Sequence, residues 1–311
     1  MKLEALNSDE HIFSGWTRSR LMSAKRVMSE RRWEEYTGLP RKKLLSQTPL
    51  SDLSFEIIRR YGKYDVFKTE TELLLEHTTA PTWLLVNESL SSLVNAQIKR
   101  RKASELSSFA GHRGWRFCPE CVKEERECYG YSYWHASHHL FGATICSTHK
   151  VPLRSNDALK VNDYKLPHQW LDKSNPMELE HEWQYQWQPF IYQLSEALKY
   201  DSTLSNRIKS DVLYLLQVER DLTYSFDKDR FNELFQQMYQ DLGDSFFTGM
   251  IGRYAKGHKY GTNLLWLAIS DFSAPNGIKS PIYWLSTIFW LRHKLPSLNG
   301  VINDDWNLQV H

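Results

Sequence analysis

Four residues in this sequence have the types and spacing of a metal site. Cys118-Pro119-Glu120-Cys121 is followed after 24 residues by Cys146-Ser147-Thr148-His149. Two ligand pairs, each separated by two residues, are how paired turns aim side chains at one tetrahedral ion. Each turn can also direct backbone amides at the ligand sulfurs. Three thiolates and one imidazole suit Zn2+, which accepts soft ligands and has no redox chemistry in the cell. Four protein ligands leave no open coordination position, so the expected ion is a single structural zinc rather than a catalytic one. Cys128 lies between the pairs with no partner at ligand spacing and reads as a free thiol. His135, His138 and His139 form a second cluster nearby, beside Tyr133 and Trp134, and read as supporting or surface groups.

Other arrangements that would do chemistry are weaker. Gly252-Arg253-Tyr254-Ala255-Lys256-Gly257 echoes a phosphate-binding loop, but His258 and Lys259 stand where Lys and Ser or Thr must follow the second glycine. No HExxH run and no compact Ser/His/Asp set occurs. No catalytic residue is therefore assigned, and the chain reads as a non-enzyme. The enzymatic rival is a metal-dependent nuclease built from scattered acidic residues.

The elements that must hold these ligands read as mainly helical. Phe13, Trp16, Leu21 and Met22 have helical spacing, as do Leu53, Phe55, Ile57, Ile58 and Tyr61. Leu73 to Leu75 follow, with a break at Thr79-Ala80-Pro81. Between Gly111 and Leu153 glycine, aromatics and all four Cys replace any long periodic run, which predicts a small loop-rich module stapled by its metal. Helical patterns return at Trp187–Leu198, Val212–Leu222, Phe231–Leu242, Leu264–Phe272 and Pro281–Leu295. The expected organisation is a helical N-terminal part at 1–110, with helix-turn-helix character, and a zinc-binding module at 111–153. A connector at 154–176 and a helical C-terminal domain at 177–311 complete it.

Charge divides the chain. Up to Phe117 there are 20 basic and 14 acidic residues, and beyond it 19 and 23. A basic front half favours a polyanionic partner. Lys99, Arg100, Arg101 and Lys102 close an amphipathic segment starting at Leu90. They are read either as a favourable helix C-terminus or as a phosphate-binding patch. Arg31, Arg32, Arg41, Lys42 and Lys43 are further candidate phosphate contacts. No apolar run of about 18 residues predicts a membrane span, and the first thirty residues have no signal-peptide pattern. A cytoplasmic protein with reduced cysteines is expected.

The run Phe117-Cys118-Pro119-Glu120-Cys121, then Tyr129-Gly130 and Tyr133-Trp134, then Cys146-Ser147-Thr148-His149-Lys150-Val151-Pro152-Leu153 resembles the TniQ/TnsD family. That family's pattern is an aromatic before CPxC, a Tyr/Gly and Trp segment, then CxxH with an apolar tail. Leu53 to Tyr64 and His77 to Pro81 upstream, and Gly249 to Lys259 with Leu264 to Trp266 downstream, are similar to flanking segments of family members. The resemblance runs over roughly residues 10 to 270. It implies that Cys118, Cys121, Cys146 and His149 hold zinc, and that the protein selects targets for a multi-component transposon. Such proteins link target DNA, or a DNA-bound CRISPR effector of Cascade type, to an AAA+ ATPase called TnsC, which recruits the transposase. No second Cys-rich ribbon follows Cys146, and the chain is shorter than TnsD proteins that read a fixed genomic site alone. Two readings stay open. One is an adaptor attached to a CRISPR effector, with homodimer formation as an option, which the small basic surplus and the shorter chain favour. The other is an autonomous reader of double-stranded DNA at a fixed attachment site.

Overall fold

The computed structural model describes residues 5–22, 58, 69–86, 109–112, 114–156, 165–218, 228–255, 263–269 and 280–303. Lys99 to Lys102, Arg31, Arg32 and Arg41 to Lys43 lie outside the described residues. So do the 53–61 pattern, save Ile58, and most of the segment read as helix-turn-helix. The chain divides into two compact units. The first holds 1–80, 113–179 and 308–311, and the second 81–112 and 180–307. Both are built mainly of helices.

In the first unit, helix α1 (Ile12–Met22) follows the spacing of Phe13 and Trp16, and Ile12, Phe13 and Trp16 are buried. Helix α2 (Glu70–His77) opens on a reciprocal cap, the Glu72 amide donating to Thr69 Oγ1 while the Thr69 amide donates to Glu72. It stops at the break expected before Pro81. Strand β1 (Arg116–Phe117) leads directly into helix α3 (Pro119–Tyr129). Gly130 ends that helix in the left-handed conformation (φ 78°), its amide donating to the Arg126 carbonyl. The loop-rich expectation for 111–153 thus needs correction, because an eleven-residue helix starts inside it. Within the segment read as a connector, β2 (Arg154–Ser155) pairs antiparallel with β1, and β3 (Asn175–Pro176) pairs antiparallel with β2. Short 3-10 turns at Pro167–Gln169 and Leu171–Lys173 lie before β3.

The core of this unit is aromatic. Phe13 lies 5.2 Å from Trp115, Trp115 lies 5.1 Å from Trp134, and Phe117 lies 5.8 Å from Trp134, ring centre to ring centre. The N-terminal segment is stitched to the metal-binding region by backbone bonds. The His11 amide donates to the Trp134 carbonyl and the Ala136 amide to the Asp9 carbonyl, each at 2.7 Å. The Trp134 amide donates to Ser14 Oγ at 2.9 Å. Beneath them is a buried two-pronged ion pair, Arg18 to Glu10, at 3.0 and 2.8 Å.

In the second unit, helices α4 (Glu182–Tyr200) and α5 (Leu204–Leu215) are joined by a three-residue turn. Helix α6 (Lys228–Met250) is broken at Gly243, whose φ of 78° and ψ of 159° are not helical. The sequence pattern ends at Leu242, immediately before this kink; only glycine takes such a φ without strain. A one-turn helix α7 (Gly252–Ala255), then α8 (Leu264–Ile269) and α9 (Pro281–Leu291), complete the described α-helices. Helix α5 starts before the expected Val212–Leu222 and ends at Leu215, and 219–222 lie outside the described residues. Its buried stripe is Leu204, Ile208 and Val212, and the chain turns at Leu216 and Gln217. Trp187, Phe190, Phe246 and Phe289 form the centre of this unit, with ring centres 5.0–5.8 Å apart.

Candidate metal centre

Each ligand pair is set by local structure. Cys118 is the extended residue before α3, and Pro119 takes the first helical position, where its missing amide hydrogen costs nothing. Cys121 lies in the first turn of the same helix. The second pair is a tight turn: the Lys150 amide donates to the Cys146 carbonyl, Lys150 has φ 58°, and the His149 amide points at Cys146 Sγ at 3.4 Å. The expectation of amides aimed at sulfur holds there. The first pair uses a helix start rather than a loop.

The four donor atoms lie within 4.8 Å of one another. Cys121 and Cys146 sulfurs are 3.7 Å apart, and His149 Nδ1 lies 3.6, 3.3 and 3.7 Å from the sulfurs of Cys118, Cys121 and Cys146. With Zn–S of about 2.3 Å and Zn–N of about 2.05 Å, a regular tetrahedron has S···S edges of about 3.8 Å and S···N edges of about 3.6 Å. The observed edges match, so the residues fit a four-coordinate ion. His149 presents Nδ1 to the sulfurs, while its Nε2 lies 3.0 Å from Glu124 Oε1. A carboxylate on the far nitrogen fixes the ring and strengthens it as a ligand.

Without an ion, three buried sulfurs cannot all be thiolates. The bond with Cys121 lowers the Cys118 thiol, but the bond with Cys146, burial and the charge of Cys146 outweigh it and push it up to about 12. Bonds to Cys118 and Cys146, with burial, also push Cys121 up. Cys146 is held as the thiolate by bonds from Cys118 and Cys121, against burial, with His138 helping. A divalent cation removes this conflict by stabilising all three charges.

The histidine cluster supports this region. His135 Nδ1 donates to Asp9 Oδ2 at 3.1 Å, and Nε2 donates to Glu125 Oε1. Glu125 also accepts the Tyr133 amide at 3.0 Å. His138 and His139 are buried in the 3-10 turn Ser137–His139. Cys121, Glu125 and His135 could form a second donor group. Its imidazole and carboxylate are already bonded to each other, and its sulfur belongs to the first group, so it reads as an ion-paired support. Cys128 is exposed and not disulfide-bonded. The sequence reading missed Asp9, Glu124 and Glu125. The two glutamates stand three and four residues after Cys121, one turn along the same helix face.

The imidazolium of His135 makes a pH prediction. Burial lowers its pKa, but bonds to Asp9 and Glu125 outweigh this and raise it from 6.5 to about 10. A raised histidine contributes stability that is complete below pH 6.5 and lost as pH climbs towards 10. His138 is shifted the other way, by burial and then the His135 charge, and acts only on the acid side of 6.5. The melting temperature of metal-loaded protein should fall between pH 7 and 10, and His135→Gln should flatten that fall. A parallel slope in the variant would remove the ion-pair assignment.

Residues 12–153 match the family model TniQ. The match opens at the first residue of α1, closes on the apolar residue after the CxxH pair and contains all four ligands. Residues 12–153 thus read as a TniQ domain, and such a domain supports a transposition-associated role in target selection. No curated protein matches the chain. Among the described residues, no helix is long and apolar enough to cross a membrane.

Proposed function

We propose that this protein is a target-selection adaptor with one structural zinc ion. It bridges DNA, or a CRISPR effector ribonucleoprotein on DNA, to the AAA+ ATPase TnsC. The observation that carries the reading is a four-donor set of tetrahedral dimensions within the TniQ match. Three sulfurs and one nitrogen leave no coordination position for substrate, so zinc would act on folding and not on chemistry. The chain would make and break no bond itself. Magnesium-dependent DNA cleavage abolished by one Asp or Glu substitution would overturn this.

The test is mild affinity purification of the tagged protein, with and without nuclease. Guide RNA and effector subunits that survive removal of free nucleic acid support the adaptor. Recovery of the ATPase alone, with tight binding to one duplex site, supports the autonomous selector.

Lys99, Arg100, Arg101 and Lys102, with Arg41, Lys42 and Lys43, are the proposed nucleic-acid contacts. Each phosphate that a cation no longer neutralises should reduce the slope of log K against log salt by about 0.9 on duplex DNA. Neutralising Lys99 to Lys102 should weaken binding at low salt and flatten that slope. An unchanged slope would return the cluster to helix capping.

A further inference from the structure

The Cys146–His149 pair sits at the tip of a small hairpin. The Leu153 amide donates to the Thr144 carbonyl at 2.8 Å and the Cys146 amide to the Val151 carbonyl at 2.9 Å, and Ile145 bridges Pro152. Both legs of this hairpin lead back to strand β1, which ends one residue before Cys118. The outgoing leg runs into β2, where Arg154 pairs with Phe117 and Ser155 with Arg116. The incoming leg is gripped by a side chain. Arg116 is buried, its Nη1 donating to the Ala143 carbonyl at 2.5 Å and its Nη2 to the Leu140 carbonyl at 3.1 Å. The Ala143 amide donates to the same Leu140 carbonyl at 3.1 Å, so the guanidinium closes on a turn that is already formed. One residue thus holds both legs, the first through its side chain and the second through the strand pairing of its main chain. Leu140 and Ala143 are themselves buried, and a donor lost from a carbonyl in such a place is not replaced by water.

We propose that Arg116 is a positioning residue of the metal centre: its guanidinium ties the incoming leg of the Cys146–His149 hairpin to the strand that delivers Cys118, so that the two ligand pairs stay together and the ion is retained. This rests on the four-ligand reading above. Release of the ion needs the hairpin to swing away from the start of α3, a local opening that leaves the rest of the unit folded. Hydrogen bonds from a charged donor shift such an opening equilibrium by roughly 10–100-fold. The planar fork matters as well as the charge, because it meets two carbonyls at once where an ammonium offers one nitrogen. Three thiolates and one divalent cation sum to a single negative charge, so a nearby cation also acts electrostatically. Lysine at this position separates the two contributions.

The experiment loads the full chain with Co2+, times transfer of the metal to a chelator, and reads hydrogen exchange at the Ala143, His11 and Ala136 amides of the loaded protein. Arg116→Met keeps the length of the side chain without its donors, and Arg116→Lys keeps the charge without the fork. In R116M the transfer should be roughly 10–100-fold faster and the Ala143 amide should lose protection. The His11 and Ala136 amides, which bond to Trp134 and Asp9, should keep theirs. R116K should recover only part of the loss. A wild-type transfer rate in R116M overturns the proposal. So does full recovery in R116K, which would assign the effect to charge alone. Equal loss of protection at all three amides would mean general destabilisation and overturns it too. If R116M does not fold, R116K is compared with the wild type: faster transfer supports the proposal and an equal rate overturns it. A wild-type chain that takes up no Co2+ defeats the four-ligand reading itself, a result distinct from any of these.

Discussion

Cys118→Ser is expected to abolish stoichiometric zinc and to unfold the first unit, including helix α1, which contributes no ligand. Structural zinc in small modules contributes about 10–16 kcal/mol of apparent binding energy at neutral pH. A typical domain is stable by only about 5–15 kcal/mol. Losing most of the first quantity removes the whole of the second. The effect reaches α1 because the N-terminal segment is bonded to Trp134 and Ala136, between the two ligand pairs, and packs Phe13 on Trp115. Native-state hydrogen exchange reads this directly, since the amides of His11 and Ala136 are protected only while that seam is closed. Zinc per chain should fall from one to near zero, with both amides losing protection. Chelation of the wild type should do the same. Cys128→Ser is the control, because that thiol is exposed and at no ligand position. Full zinc content and an intact seam in Cys118→Ser would show the site to be misassigned.

The donor set of this candidate centre was legible because its information is local. Two residues between the members of each pair are enough to specify a turn, and a tetrahedral ion then dictates which residue types may follow. Helix α1 and the buried aromatics of α9 were legible for a related reason: apolar spacing reports the face that must be covered. What escaped was of two kinds. Helix α3 carries ordinary boundary signals, Pro119 at its start and Gly130 at its end, but its polar composition gives little apolar period and the cysteines drew the reading towards loops. Asp9 was invisible for a different reason. It meets His135 across 126 positions of sequence, and no local pattern encodes a partner at that distance. The kink at Gly243 is intermediate, since a glycine inside a helical run signals a break without saying whether the helix resumes.

The other large effect is expected at the Glu10–Arg18 pair, where the two side chains are 0% and 3% exposed. Arg18→Leu removes both N–H donors from the Glu10 carboxylate and leaves it with Asn7, whose amide and side chain donate to Oε2 at 3.0 and 2.9 Å. Two neutral donors do not replace a guanidinium around a buried charge. Breaking such a pair from one side costs about 3–5 kcal/mol, mostly as the penalty of the charge left behind. Removing the Arg18 guanidinium from the face of the Tyr131 ring, 5.1 Å away, adds a smaller amount. Glu10→Gln in the same chain removes the stranded charge, so the double variant should be more stable than Arg18→Leu alone. That reversal separates the electrostatic account from a packing account, in which the second substitution could only add damage. The free energy of opening, measured on zinc-loaded protein by exchange at the His11 and Ala136 amides, decides it. A single-variant loss below about 1 kcal/mol, the level of an exposed pair, would mean that water reaches Glu10 in solution. Strictly additive losses would mean that the pair acts through its shape and not its charge.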